Sequence, residues 1–299
     1  MKRTLSESQR IEFAHLVKNN LFQEKSSTIK VFLCGGDVTN EKFGRYKLAQ
    51  ALTKKKRFEL FYPEDLFDDL LAGQGQHSLL SLENILADSV DVIIIIPESP
   101  GSYSELGAFS NNAKLSQKMI CVQDNKYRFK KSFLNYGPIR LLKSINSKSV
   151  LRCDFNILDD LRENFDFYHK LEKSINSIMK RVHVRQSISN ILYADKFVLP
   201  CIYLMDGINN VLLYDLLNKA TGQDKILSEI IVKSALSRLL KMRVIMRTSQ
   251  GYHITDYGME YVASKFNRQS LDRLRLDMMN FQNRSKASLN YVKLLPAHP

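Results

Sequence analysis

Val92-Ile93-Ile94-Ile95-Ile96, followed shortly by Gly101-Ser102-Tyr103-Ser104-Glu105-Leu106-Gly107, is the stretch whose reading decides the fold. An unbroken β-branched run has no polar face, as expected of a strand buried on both sides of a parallel sheet. A glycine turn is expected to end that strand. The helix that follows is read over 103–115, which sets Glu105 in its first turn. Ligands of open α/β sheets collect in the crevice outside the carboxyl ends of the strands. Glu105 is therefore the candidate catalytic residue, with Gly101 and Ser102 as candidate substrate contacts. A carboxylate fixed there can attack an electrophilic sugar carbon, chemistry suited to breaking an N-glycosidic bond. The competing reading is a carboxylate that only complements the helix macrodipole.

Outward from this stretch, residues 29–153 alternate short apolar runs with amphipathic segments, the pattern of a βα sheet. Strands are expected at 29–34, 58–62, 91–96 and 119–122, with a shorter one at 149–152; helices are expected at 43–54 and 79–87. The first strand ends at Gly35-Gly36-Asp37, where backbone can approach a ligand closely. Tyr62 and the Glu64-Asp65 loop follow the second strand. All six residues are candidate substrate contacts; the plain alternatives are an ordinary turn and two surface acids. The chain carries neither G-x-G-x-x-G nor a lysine-bearing phosphate loop, so dinucleotide cofactor binding and NTP hydrolysis are not indicated and no cofactor is expected.

Apolar residues recur every three or four positions over 156–182, which predicts a long amphipathic helix bridging two domains at 154–183. Ser6 to Leu21 reads as an N-terminal docking helix within 1–28. Residues 184–299 have a different pattern: helices at 211–219, 226–232 and 234–242, then Val244 to Arg247, a turn at Thr248-Ser249-Gln250-Gly251, and Tyr252 to Thr255. Helix, helix and glycine-turned hairpin resemble a winged helix-turn-helix. Lys233, Arg238, Lys241, Arg243 and Arg247 decorate its expected recognition helix and wing, as candidate contacts to nucleic acid or to a protein partner. A second basic cluster, Lys126 to Lys143, follows the fourth strand.

The 299 residues suffice for two cores, and the formal net charge of +13 points to nucleic acid, ribonucleoprotein or another anionic partner. Cys34, Cys121, Cys153 and Cys201 are far apart, and none of the six histidines pairs at metal-ligand spacing, so neither a zinc site nor a disulfide framework is expected. No leader and no apolar run of membrane-spanning length is read, and a cytoplasmic protein is expected.

Gly101-Ser102-x-x-Glu105-x-Gly107 after its apolar strand resembles the nucleoside 2-deoxyribosyltransferase family and related Rossmann-like N-glycosidases. In those proteins the matching glutamate attacks the anomeric carbon and forms a glycosyl-enzyme. Phe32 stands where a strand-borne tyrosine often steadies that glutamate, Ser99 where some members have aspartate, and the acid that protonates a departing base has no match. A neutral base leaves poorly without a proton, whereas the nicotinamide of NAD⁺ is cationic and needs none. Joined to a helical bridge and a winged helix, the domain resembles the effector subunit of a bacterial retron. That resemblance implies a toxic N-glycosidase of antiphage defence, restrained by the reverse transcriptase and its msDNA. The deoxyribosyltransferase resemblance also implies a homo-oligomer whose site is completed across subunits, with the apolar faces of the helix at 156–182 and of the amphipathic N-terminus as the surfaces shared between copies. Three classes of function stay open: an NAD⁺ glycosidase, a glycosidase or transferase acting on nucleosides or nucleotides, and a nucleotide-sensing transcription regulator.

Overall fold

The computed structural model describes residues 5–22, 28–64, 85, 89–182, 184 and 186–293, with side chains up to residue 280. The chain divides into two compact units. One is Lys25–Arg185; the other joins Met1–Glu24 to Gln186–Pro299.

The first helix, α1 (Glu7–Leu21), opens on a capping box in which Ser6 and Gln9 satisfy each other's backbone N–H. It belongs to the second unit, where Phe13, Val17 and Leu21 are buried.

The first unit is built on β1 (Ile29–Cys34), α2 (Gly44–Thr53), β2 (Phe58–Phe61), β3 (Val92–Ile95), α3 (Pro100–Asn111), α4 (Ala113–Ser116) and β4 (Met119–Asp124). It continues with α5 (Phe133–Tyr136), α6 (Pro138–Ile145), β5 (Val150–Cys153) and α7 (Phe165–Arg181). The strands form one parallel sheet in the order β2-β1-β3-β4-β5. Chain direction across the sheet reverses between β1 and β3, so the crevice of a doubly wound sheet opens at the carboxyl ends of those two strands. Every residue of β1, β3 and β4 is buried, which explains the apolar runs Val31–Cys34, Val92–Ile95 and Met119–Val122; Lys30, Gln123 and Asp124 are buried polar residues of the same strands. Side chains alternate between the faces. Val31, Leu33, Val92 and Ile94 pack with Leu48 and Leu52 of α2 and with Leu171, Ile175 and Ile178 of α7. Phe32 and Cys34 take the opposite face of β1.

The segment expected as a bridge is thus a layer of the sheet unit. The apolar stripe of α7 lies in the core, and that of α1 is buried in the other unit. Neither supplies the shared face between copies that an oligomer was expected to use. The helix expected at 79–87 lies outside the described residues, apart from Ile85.

The second unit adds α8 (Asp195–Met205), α9 (Asn210–Thr221), α10 (Lys225–Lys241), β6 (Ile245–Thr248), β7 (Gly251–Ile254), α11 (Asp256–Lys265) and α12 (Arg268–Lys293). The two helices read at 226–232 and 234–242 are one continuous helix, since Lys233 carries no helix-breaking chemistry. β6 and β7 pair as an antiparallel hairpin. Gly251 turns it at φ +135, where an added Cβ would stand 2.5 Å from the Gly207 carbonyl oxygen. Gly258, in the first turn of α11, packs hard against the residue before β6: its missing Cβ would lie 1.9 Å from the Val244 carbonyl oxygen. Among the described residues, no helix is long and apolar enough to cross a membrane.

Candidate active site

Helix α3 begins earlier than the sequence pattern suggests. Ser99 is its N-cap and Pro100 its first residue, a position that suits proline because no intrahelical N–H is lost there. Gly101 is therefore helical and exposed rather than a strand-ending turn, and a Cβ on it would meet nothing within 4 Å. Ser102 is buried, with its hydroxyl bonded to the Ser99 carbonyl at 2.9 Å and its N–H to the Ser99 hydroxyl at 3.2 Å. Its polar groups hold the cap. Glu105 consequently sits in the second turn.

The geometry draws Glu105 toward the sheet. The Cys34 thiol, at the end of β1, donates a hydrogen bond to its carboxylate. Burial raises the Glu105 carboxyl; the Arg45 guanidinium pulls it down, Glu64 pushes it up and the Cys34 bond lowers it, leaving it at about 7. A carboxyl poised there is a recurrent feature of catalytic sites. Burial, and the adjacent Glu105 charge, push the Cys34 thiol up, so it stays protonated as a donor.

Arg45, in the first turn of α2, organises the rest. Its side chain is 1% exposed and grips Glu64 with both terminal nitrogens, at 2.8 and 2.7 Å, while Nη1 also bonds the Gly36 carbonyl at 2.9 Å. Tyr62 lies against it, 5.0 Å from guanidinium to ring centroid. The hydrogen bond from Arg45 holds the Glu64 carboxyl below its usual range. Gly35 makes this possible: a Cβ there would lie 2.7 Å from that of Arg45. Gly36 likewise makes room for the Phe43 ring, which a Cβ there would approach to 2.4 Å. The two glycines thus admit side chains of the protein itself, which is why the pair can be absent from phosphate-loop patterns and still be required.

Glu98 closes the crevice between β1 and β3. Its carboxylate accepts from the N–H groups of Gly36 at 3.0 Å, Gly44 at 2.7 Å and Arg45 at 2.9 Å, and so fills the amino end of α2. A substrate phosphate cannot use these amides while Glu98 holds them. Asp37 accepts from the N–H and hydroxyl of Thr39, both at 2.8 Å, which shapes the loop and lowers its carboxyl. Asp65 lies outside the described residues. Sequence reading brought Glu105, Gly35, Gly36, Tyr62 and Glu64 to one place. It missed Cys34, Arg45 and Glu98, whose only signal was position: each stands at the carboxyl end of a strand or the start of a helix around the crevice.

In the second unit, Lys241, Arg243 and Arg247 are exposed, and Arg243 takes a left-handed φ of +58 at the entry to the hairpin. Lys233 pairs with Glu229 at 2.7 Å. Arg238 turns inward, donating to the Ser234 hydroxyl and the Ile191 carbonyl, both at 2.7 Å. That internal bonding corrects its expected place on an outward recognition face. Among the described residues, no cluster of His, Cys, Asp and Glu could hold a metal ion.

The sequence matches the family described as STM3845 retron effector protein over residues 41–247. It is 52% identical over 305 aligned positions to an Escherichia coli protein named "Retron Ec86 putative ribosyltransferase/DNA-binding protein", an alignment that covers all of this chain and 99% of the relative. The corresponding Ec73 protein of Escherichia coli, with the same wording in its name, is 26% identical over 264 positions, covering 81% of this chain and 82% of its own length. The chain belongs to the retron effector family.

Proposed function

We propose that this effector is an N-glycosidase of a retron antiphage system, with Glu105 as nucleophile and NAD⁺ as substrate. The observation that carries the reading is the pairing of a partly desolvated Glu105, poised near pH 7, with Glu64, which Arg45 keeps ionised. The ionised Glu64 is a poor proton donor at neutral pH. The arrangement therefore suits a leaving group that needs no proton, as the cationic nicotinamide does. Positive charge developing on the ribose would in turn favour the ionised form of Glu105. The ribosyltransferase names of the relatives support glycosyl transfer as the reaction class.

The deoxyribosyltransferase-like description of the sheet rests on the Glu105 motif and the crevice between β1 and β3. The second unit is read as a winged helix: α9, α10, the β6–β7 hairpin and α11 follow in the order that module requires. Lys241, Arg243 and Arg247 are its outward cations toward the reverse transcriptase and msDNA. Restraint by that complex, toxicity on release, and a cytoplasmic setting suited to four buried free cysteines complete the reading. A homo-oligomer would use exposed apolar residues such as Leu276 and Met279 of α12.

The test is incubation of purified protein with NAD⁺, nucleosides and nucleotides, with and without its retron partners. Nicotinamide release with loss of NAD⁺ is expected. Accumulation of purine or pyrimidine bases with NAD⁺ unchanged would replace this reading by base release from nucleosides or nucleotides. That second reading has its own support, because a glutamate half-protonated near pH 7 can itself deliver a proton.

A further inference from the structure

We propose that the segment from Lys126 to Lys143, at the carboxyl edge of the sheet, is a docking surface for single-stranded nucleic acid. The inference rests on this surface alone and holds whether or not Glu105 is the nucleophile.

Its charge is one-sided. No carboxylate occurs between Asp124 and Asp154, while lysine and arginine recur throughout. Asp124 is spent on Lys126, at 2.9 Å. Burial and the neighbouring charges of Arg152 and Arg128 hold the Lys143 ammonium below its usual range, a sign of crowded cations.

Its aromatic content is the more telling feature. Phe129 is 85% exposed and Phe133 87%, with Tyr136 at 59%, although large apolar rings are ordinarily withdrawn from water. Cations lie over the rings: Arg128 over Phe129 at 4.9 Å, and Lys126 and Lys130 over Tyr127 at 5.0 and 4.9 Å.

The loop is also held in place rather than loosely presented. The Asn135 amide donates to the carbonyls of Tyr127 at 3.0 Å and Lys130 at 2.7 Å, and its oxygen accepts from Gln123 of β4 at 2.8 Å. Gln123 is 1% exposed and accepts in turn from Arg152 at 3.1 Å. A partly buried polar chain thus fixes a loop whose rings face solvent.

Exposed rings interleaved with cations are what an unpaired strand requires, since bases stack on the rings while phosphates meet the cations. A duplex hides its base faces and offers these rings nothing to stack on. An acidic peptide would use the cations and leave the rings idle. The surface also borders the candidate site: Tyr103 of α3 interacts electrostatically with Tyr127, Glu98 and Lys126, and Glu105 lies on the same helix.

The experiment measures binding of the full chain to a labelled oligothymidylate about 16 nucleotides long, and to a duplex of equal length, by fluorescence anisotropy across a salt series. The variants are F129A/F133A/Y136A and, separately, K126E/R128E/K130E, all at exposed positions. The ring variant is expected to weaken strand binding at least tenfold while changing duplex binding less than threefold. The charge variant should weaken both and flatten the salt dependence. Strand binding unchanged in the ring variant would overturn the proposal. So would equal losses for strand and duplex, or charge-variant losses unaccompanied by any ring effect, which would mark a general polyanion surface or a protein-docking face.

Discussion

The Cys34 thiol and the Glu105 carboxylate meet across the carboxyl end of β1, one fixed on a strand and the other carried by α3. Fully buried Cys34 can hardly ionise, so it acts on Glu105 as a neutral donor that favours the ionised carboxylate. Replacing it by alanine removes that donor and should raise the Glu105 midpoint, whereas serine keeps a hydroxyl donor. The alkaline shift in the pH–rate profile should appear in C34A and be largely absent in C34S. Identical profiles for the two variants would dissociate the thiol from the glutamate.

Glu105 itself predicts a pH dependence in two observables. As a nucleophile it must be ionised, so turnover should rise with pH through about 7 and level off above. A rate that falls through the same range would mark it as an acid. For stability, the folded carboxyl keeps its proton up to about 7 while the unfolded chain releases it at the usual 4.5. The folded state binds more protons between those values, so the stability present below 4.5 is lost as pH rises through 7. E105Q escapes that loss. Its Tm should exceed that of wild type by on the order of a few degrees above pH 7 and converge with it below pH 4.5, while activity falls by about a thousandfold or more.

Such couplings were only partly legible in the sequence. The buried strands announced themselves, because Val92 to Ile96 and Val31 to Cys34 have no polar face to misread. Glu105 was legible because it follows such a strand. The start of α3 was not, since Ser99-Pro100-Gly101-Ser102 reads equally as a turn; only the capping bonds of Ser99 and Ser102 show that the helix has begun. Arg45 was hidden by type, as a lysine- and arginine-rich chain gives no reason to single out one arginine for burial. Its place depends on contacts with Gly36 and Glu64 that no local pattern encodes. Arg238 failed for the converse reason: helical spacing assigns a face but cannot say that the guanidinium folds back onto Ile191.

Glu98 predicts a structural effect. Its carboxylate satisfies three backbone N–H groups from two segments, bonds of the charge-assisted kind. E98Q keeps the shape but offers a single neutral acceptor oxygen, and one amide is left opposing a donor. A loss of about 1–3 kcal/mol in denaturant unfolding of the sheet unit is expected. Amide exchange should accelerate at Gly36, Gly44 and Arg45 first. Unchanged protection at these positions would show that Glu98 is not the group holding them.

Arg45 and Glu64 make the sharpest pair, because the electrostatics give their substitutions opposite signs. The guanidinium lowers the Glu105 carboxyl and Glu64 raises it. E64Q removes a negative charge and leaves Arg45 less neutralised, so both consequences favour an ionised Glu105. The midpoint of the pH–rate profile should move toward acid. R45M removes the cation and releases Glu64 as an unpaired carboxylate, so both consequences disfavour ionisation and the midpoint should move toward alkali. R45M also empties a side chain that is 1% exposed, and its Tm should fall while that of E64Q, at a side chain 57% exposed, falls less. Opposed midpoint shifts cannot come from loss of stability alone, which would slow both variants at every pH. Shifts of the same sign, or none, would mean that the Arg45–Glu64 pair supports the fold without tuning Glu105.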